Sequence, residues 1–232
     1  GILMDKSDGS EIAGKNGKSI TAKAEFVPEK ANGSVELSFK VDSTLLAGKT
    51  AVVFEDLYFN GIRVCSHADI EDEDQTVFFP EIATHASFGT DKAKDAVNAK
   101  SGSKKTTAKD EVKVIDKVTY RNLVPGKEYT ISGKLMDQKT GKAALVDKKE
   151  LTAQARFTPD KASGSIELAF TFKADELGGK NLVAFEELYL GDTLVASHTD
   201  IKDEAQTVSL EKPADSEKTG SGGGKSSGGS SS

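Results

Sequence analysis

The chain has 232 residues, 36% of them hydrophobic and 29% charged, with a net charge of −6; that is room for about one and a half domains of ordinary size. The negative balance, with no basic stripe interleaved with aromatics, excludes a nucleic-acid partner, and no run approaches the roughly 20 apolar residues needed to span a bilayer. A single cysteine, Cys65, excludes a disulfide framework and offers no metal site.

From the N-terminus, Val35-Glu36-Leu37-Ser38-Phe39-Lys40-Val41 alternates apolar and polar residues, the period of a half-buried strand. The Lys-rich stretch 91–111 is predicted as a long exposed loop with a helical turn around 92–99. Val118-Thr119-Tyr120 leads through a Pro125-Gly126 turn into the run from Tyr129 to Leu135, a strand, a turn and a strand. Further strands are predicted at 152–158, 165–172, 181–190, 193–198 and 206–211. Turn signals fall at Thr140-Gly141, Ser163-Gly164, Gly178-Gly179 and Gly191-Asp192. Short strands with a turn about every 8–12 residues predict an all-β chain of Ig-like antiparallel sandwiches. Residues 213–232 are almost free of apolar side chains and read as a Gly/Ser-rich tail or linker.

The chain also repeats itself. Residues 52–77 match 183–208 at a constant offset of 131, so Glu55 matches Glu186, His67 matches His198 and Gln75 matches Gln206. Gly1-Ile2-Leu3-Met4-Asp5 matches Gly133-Lys134-Leu135-Met136-Asp137 after a one-residue slip. A repeat of this length is a whole domain and not a solenoid unit, whose periods run roughly 20–50 residues. The expected division is 1–80 for a first domain that begins midway, 82–212 for a complete second domain, and the tail. Lacking early strands, the first copy is expected to expose sheet edges and to be poorly stable. Cys65 faces Ala196 across the repeat and is expected to be a small packing residue.

Polar residues recur in the repeat as faithfully as apolar ones. In each copy a glutamate closes an apolar run, a histidine follows twelve positions later, and a glutamine eight after that. Solvated strand residues would account for each singly; their joint recurrence points to a shared task. A buried carboxylate beside an imidazole shifts the pKa of both and can make the histidine a base. No Gly-x-Ser-x-Gly elbow supplies a serine nucleophile. His198, Asp200 and Asp203 lack an established ligand spacing, so neither a metal nor another cofactor is expected.

These residues lie within a longer ordered set: Ile82-Ala83-Thr84-His85-Ala86 after Pro80; Val114-Ile115-Asp116-Lys117-Val118-Thr119-Tyr120; Leu123-Val124-Pro125-Gly126-Lys127-Glu128-Tyr129; Gly133-Lys134-Leu135-Met136-Asp137; Val183-Ala184-Phe185-Glu186; and His198-Thr199-Asp200-Ile201 through Gln206-Thr207-Val208. As a set it resembles the T–Q ester-bond domains, the VaFE-type repeats of surface adhesins in Gram-positive bacteria, over 82–210 and again over 1–78. The resemblance implies a spontaneous side-chain ester between Thr84, the nucleophile, and Gln206, the acyl donor, with release of ammonia. It implies proton transfer by His198 and a supporting acidic pair of Asp116 and Glu186. His85 stands where such domains often carry a second threonine or a small residue, and is expected to be exposed; Thr90 is the fallback nucleophile. Copy one retains Glu55, His67 and Gln75 without the matching threonine and aspartate. The implied protein is a monomeric stalk segment, extracellular and attached to the cell wall beside neighbouring repeats. It reacts once and is not a turnover enzyme. Two alternatives are a ligand-binding adhesin module and a stalk domain closed by a Lys–Asn isopeptide bond.

Overall fold

The computed structural model describes residues 1–89 and 102–213. Thr90, the helical turn at 92–99 and the tail beyond Pro213 lie outside the described residues. In the first copy the strands are β1 (Ile2–Asp5), β2 (Thr50–Phe59), β3 (Ile62–His67) and β4 (Thr76–Phe78). The second begins with β5 (Glu81–Phe88), β6 (Lys105–Thr107), β7 (Glu111–Arg121) and β8 (Tyr129–Asp137). The short β9 (Lys142–Ala143), β10 (Leu145–Val146) and β11 (Lys149–Glu150) lead to β12 (Thr152–Phe157) and β13 (Gly164–Lys173). It closes with β14 (Lys180–Leu190), β15 (Thr193–His198) and β16 (Thr207–Glu211).

The second copy is a two-sheet sandwich. One sheet runs β12-β8-β14-β16-β6, with β15 also on β14 and β9 on β8; the other runs β13-β7-β5. All these pairs are antiparallel except β16 with β6. Alternation decides which side chains meet between the sheets. Ile82, Ala86, Phe88, Val114, Val118 and Leu168 from the smaller sheet pack against Ile131, Leu135, Leu182, Ala184, Leu188 and Val208 from the larger. Gly133 lies at the closest approach: a Cβ there would fall 2.7 Å from Phe170 Cζ and 2.8 Å from Leu168 Cδ1.

In the first copy β2 pairs with β1, β3 and β4 as β14 pairs with β8, β15 and β16. The segment around Leu37 and Phe39 lies against that sheet, its side chains reaching Gly1 as Leu168 and Phe170 reach Gly133. The expected strand at Val35–Val41 does not form. Its counterpart β13 bonds to β7 along its whole length, whereas no described strand of the first copy pairs with Val35–Val41. What the first copy exposes is therefore a sheet face. Leu57 is 44% exposed where Leu188 is 1%, and Val77 is 42% where Val208 is 0%. The same exposure corrects the reading of Cys65, which is exposed while Ala196 is buried.

The copies meet at a polar joint. Asn122, in a left-handed conformation (φ 60°) that asparagine tolerates better than most residues, donates its side-chain amide to Gly48 O at 3.1 Å and Phe79 O at 3.2 Å. Beside it Arg121 pairs with Glu81.

Candidate functional site

Four polar side chains are buried between the sheets of the second copy: Thr84, Asp116, Glu186 and Gln206, the last three with no exposed surface. Each takes its place from strand alternation. On β5, Ile82, Thr84, Ala86 and Phe88 point inward and His85 outward. Asp116 lies between the inward Val114 and Val118 of β7, opposite Ala86. Glu186 lies between Ala184 and Leu188 on β14, which settles a direction that three apolar residues in a row left open. Gln206 directly precedes β16, and its carbonyl accepts from Ala184 N at 3.1 Å. First and last strands are tied in backbone too, because Ala86 N donates to Ala205 O at 3.0 Å.

One hydrogen bond organises the cluster: Gln206 Nε2 donates to Glu186 Oε2 at 2.6 Å. Five buried oxygens have no partner at normal geometry: Thr84 Oγ1, both carboxyl oxygens of Asp116, Glu186 Oε1 and Gln206 Oε1. An unsatisfied buried polar atom costs about 1–3 kcal/mol, so five at one point require an explanation. Part of it is protonation. Burial pushes Glu186 up to about 10, the neighbouring Asp116 charge and hydrogen bond add to the rise, and Thr84 and Gln206 oppose it. Burial raises Asp116 as well, but Glu186 together with the charges of His198 and Lys104 pulls it back. Two facing carboxyls cannot both ionise cheaply. Burial therefore favours a proton held within the pair, on the side of Glu186, whose pKa is pushed up by both burial and Asp116. Thr84 and Gln206 then present a free hydroxyl and a free amide carbonyl in a site closed to water.

His198 sits at the rim. It opposes Glu186 in the β14–β15 register, its side chain is 25% exposed, and Nε2 lies 2.9 Å from Asp203 Oδ2. It makes no hydrogen bond to Thr84, whose hydroxyl has no partner. Two residues of the site carry no role in the sequence reading. Asp203 holds His198 and also accepts from Ala205 N at 2.7 Å, so it shapes the turn entering Gln206. A signal for it existed in the repeat, where Asp72 matches Asp203 at the offset of 131, and Asp72 likewise lies 2.8 Å from His67. The other is Lys104, whose ammonium donates to Ala86 O and to Ala205 O. No repeat marks it, and it lies among other lysines.

The first copy keeps the frame without the enclosure. Glu55 opposes His67 and Val53 N donates to Gln75 O at 3.0 Å. Glu55 and Gln75 are nonetheless half-buried and His67 exposed. Enclosure in the second copy comes from β5 and β7. Among the described residues no group of three or more His, Cys, Asp or Glu is placed to hold a metal, and no helix is long and apolar enough to cross a membrane.

Among solved structures, the chain is similar to a bacterial adhesin from Mobiluncus mulieris containing intramolecular disulfide, isopeptide and ester bond cross-links. Identity is 19% and the TM-score 0.46, and the match covers 58% of each chain. A second crystal form of that adhesin gives 20% and 0.45 over the same shares. A glycosyl hydrolase family 2 member from Bacteroides cellulosilyticus matches at 13% identity and a TM-score of 0.37, over 53% of this chain and 15% of its own. The chain thus spans 58% of the length of the adhesin. No curated protein matches it. The family described as T-Q ester bond containing domain matches twice, over residues 1–79 and 80–210. With nearly its whole length covered in two tandem matches, the chain belongs to the T-Q ester bond domain family.

Proposed function

We propose that the chain is a stalk segment of a bacterial surface adhesin, and that its second copy closes itself with an ester between Thr84 and Gln206. The observation that carries this reading is the 2.6 Å contact between the Gln206 amide nitrogen and the buried Glu186 carboxyl, beside an unpartnered threonine hydroxyl. An amide resists attack until its leaving nitrogen is protonated, and a threonine hydroxyl is a weak nucleophile until a base takes its proton. Glu186 is the acid, already in contact with the nitrogen; Asp116, the anion of the pair, is the base. His198, held by Asp203, assists the proton transfer from the rim. Thr84 Oγ1 bonds to Gln206 Cδ, the Cδ–Nε2 bond breaks, and ammonia leaves carrying the two amide hydrogens and one transferred proton. Asp116 ends with the threonine proton and returns it to Glu186, restoring the pair. Folding supplies the proximity, worth effective molarities of roughly 10⁵ M or more. The reaction happens once per molecule, so the chain is self-processing and not an enzyme.

The product ties the first strand of the copy to its last. By analogy with a disulfide closing a loop of this length, the tie stabilises by about 4–5 kcal/mol, and it keeps the sandwich from opening to proteases or under tension. That suits a monomeric spacer of repeats on the outside of a Gram-positive cell, fixed to the cell wall. The test is intact mass of the full chain, as wild type and as Thr84→Ala, followed by peptide mapping. The expected result is loss of one ammonia in the wild type alone, with peptides containing Thr84 and Gln206 joined. A wild type of unaltered mass sinks the ester; a Lys–Asn junction in the map puts an isopeptide in its place.

A further inference from the structure

We propose that Lys104 is a positioning residue for the ester-forming step: its ammonium holds the backbones beside Thr84 and Gln206 together and sets a positive charge next to Asp116. The inference rests on the ester reading and adds to it a residue that neither reacts nor touches the reacting atoms.

The geometry is that of a bridge between the two sheets. Residues 103–107 connect β5 to β16: Phe88 N donates to Ser103 O at 2.8 Å, Ser209 N to Lys104 O at 2.8 Å, and β6 continues in parallel beside β16. From this bridge the Lys104 side chain reaches back to two carbonyls. Ala86 is two residues beyond Thr84 on the same inward face of β5, and Ala205 directly precedes Gln206. One cation thus grips both backbones that must approach for Thr84 Oγ1 to meet Gln206 Cδ. Misplacement of reacting atoms by about 1 Å can cost roughly 100-fold in rate, so a brace at this point bears on rate as well as on stability.

Charge is the second part. Lys104 is half-buried, burial depresses its pKa, and the charges of Asp116 on β7 and Asp203 in the turn before Gln206 oppose that loss. Reciprocally, Lys104 helps to hold Asp116 below where burial alone would put it. The other titratable groups facing Asp116 are Glu186 on β14 and His198 on β15. With Lys104 as the cation, Asp116 stays the base while Glu186 keeps the proton it delivers to the leaving nitrogen.

The experiment follows ester formation in the full chain, synthesised into denaturant and diluted into buffers from acid to alkaline, with ammonia loss read by intact mass over time. Lys104→Gln keeps an amide donor but no charge. It is expected to link about 100-fold more slowly, the scale of a misplacement of about 1 Å between reacting atoms, with the acidic limb of its pH–rate profile moved to higher pH because Asp116 holds its proton longer. Lys104→Arg keeps the charge, and its limb should stay where the wild type has it. A Lys104→Gln chain as fast as wild type overturns the proposal, and so does one slowed equally at every pH, which is what a merely structural lysine would give. Should Lys104→Gln fail to fold by circular dichroism, Lys104→Arg decides: a displaced limb or no linkage overturns the proposal. A wild type that never loses ammonia removes the ester reading and this inference together; a wild type that links while Lys104→Gln links unchanged removes this inference alone.

Discussion

At the scale of residues, the proton on Glu186 ties reactivity to stability. In a Thr84→Ala chain, which cannot form the ester, the folded state holds that proton from the ordinary glutamate value of 4.5 up to about 10, while the unfolded state has released it. The folded state binds the extra proton across that window, so stability falls as pH rises through it. The melting temperature of Thr84→Ala should therefore drop steadily from mildly acid to alkaline buffer. Glu186→Gln in the same background should flatten the slope; an equally steep slope in both chains would mean the proton is held elsewhere. The residues of the site differ in how far the sequence marks them. Repetition marks Glu186, His198 and Gln206, and their strands bring the first and last of these into contact while leaving His198 at the rim. Thr84 and Asp116 have no partner in the repeat and are singled out only by resemblance. Lys104 acts through main-chain carbonyls, a use that depends on where the chain folds and leaves no trace in residue spacing.

Elements differ in the same way. Alternation reports which face of a strand is buried, and it places the strands at 165–172, 181–190 and 193–198 within a residue or two of β13, β14 and β15. It does not report whether a neighbour exists. The run Val35–Val41 alternates as clearly as β13, lays Leu37 and Phe39 toward Gly1, and still forms no ladder. A strand is a relation between two segments, and no described strand pairs with Val35–Val41. β6 escapes for the opposite reason: Lys105–Thr107 shows no alternation but finds β16 beside it. The proposed ester would join β5, in the smaller sheet, to the residue preceding β16, in the larger, so that the two sheets could not separate without breaking it. Its loss in Thr84→Ala should lower the melting temperature by roughly 10–20 °C, from about 4–5 kcal/mol of loop restraint and the usual scaling for a domain of this size. Equal melting of linked and unlinked chains, followed by calorimetry, would show that the tie leaves the unfolded state unrestrained.

At the scale of the whole molecule, an enclosed copy and an open one share one design of sheet among the described residues. The open copy has a small core of Leu3, Ile12, Leu46, Ala51 and Phe79, and residues 23–36 are exposed without interruption. Local opening in such a segment requires little free energy. Brief trypsin treatment should cut first after Lys23, Lys30 and Lys40, while the peptides of β13 and β14 in the enclosed copy are released last. Simultaneous loss of both copies on a time-resolved digest would contradict this. The positions of Thr84 and Gln206, near the two ends of the enclosed copy, have a further consequence in length. Pulled between its ends without a tie, the copy would unravel, and the roughly 120 residues from Thr84 to Gln206 would pay out on the order of 400 Å of chain. With the ester in place that slack lies outside the line of pull, and only the few residues on either side of the bond can straighten. The copy then behaves as a link of constant length, whether or not its hydrogen bonds hold.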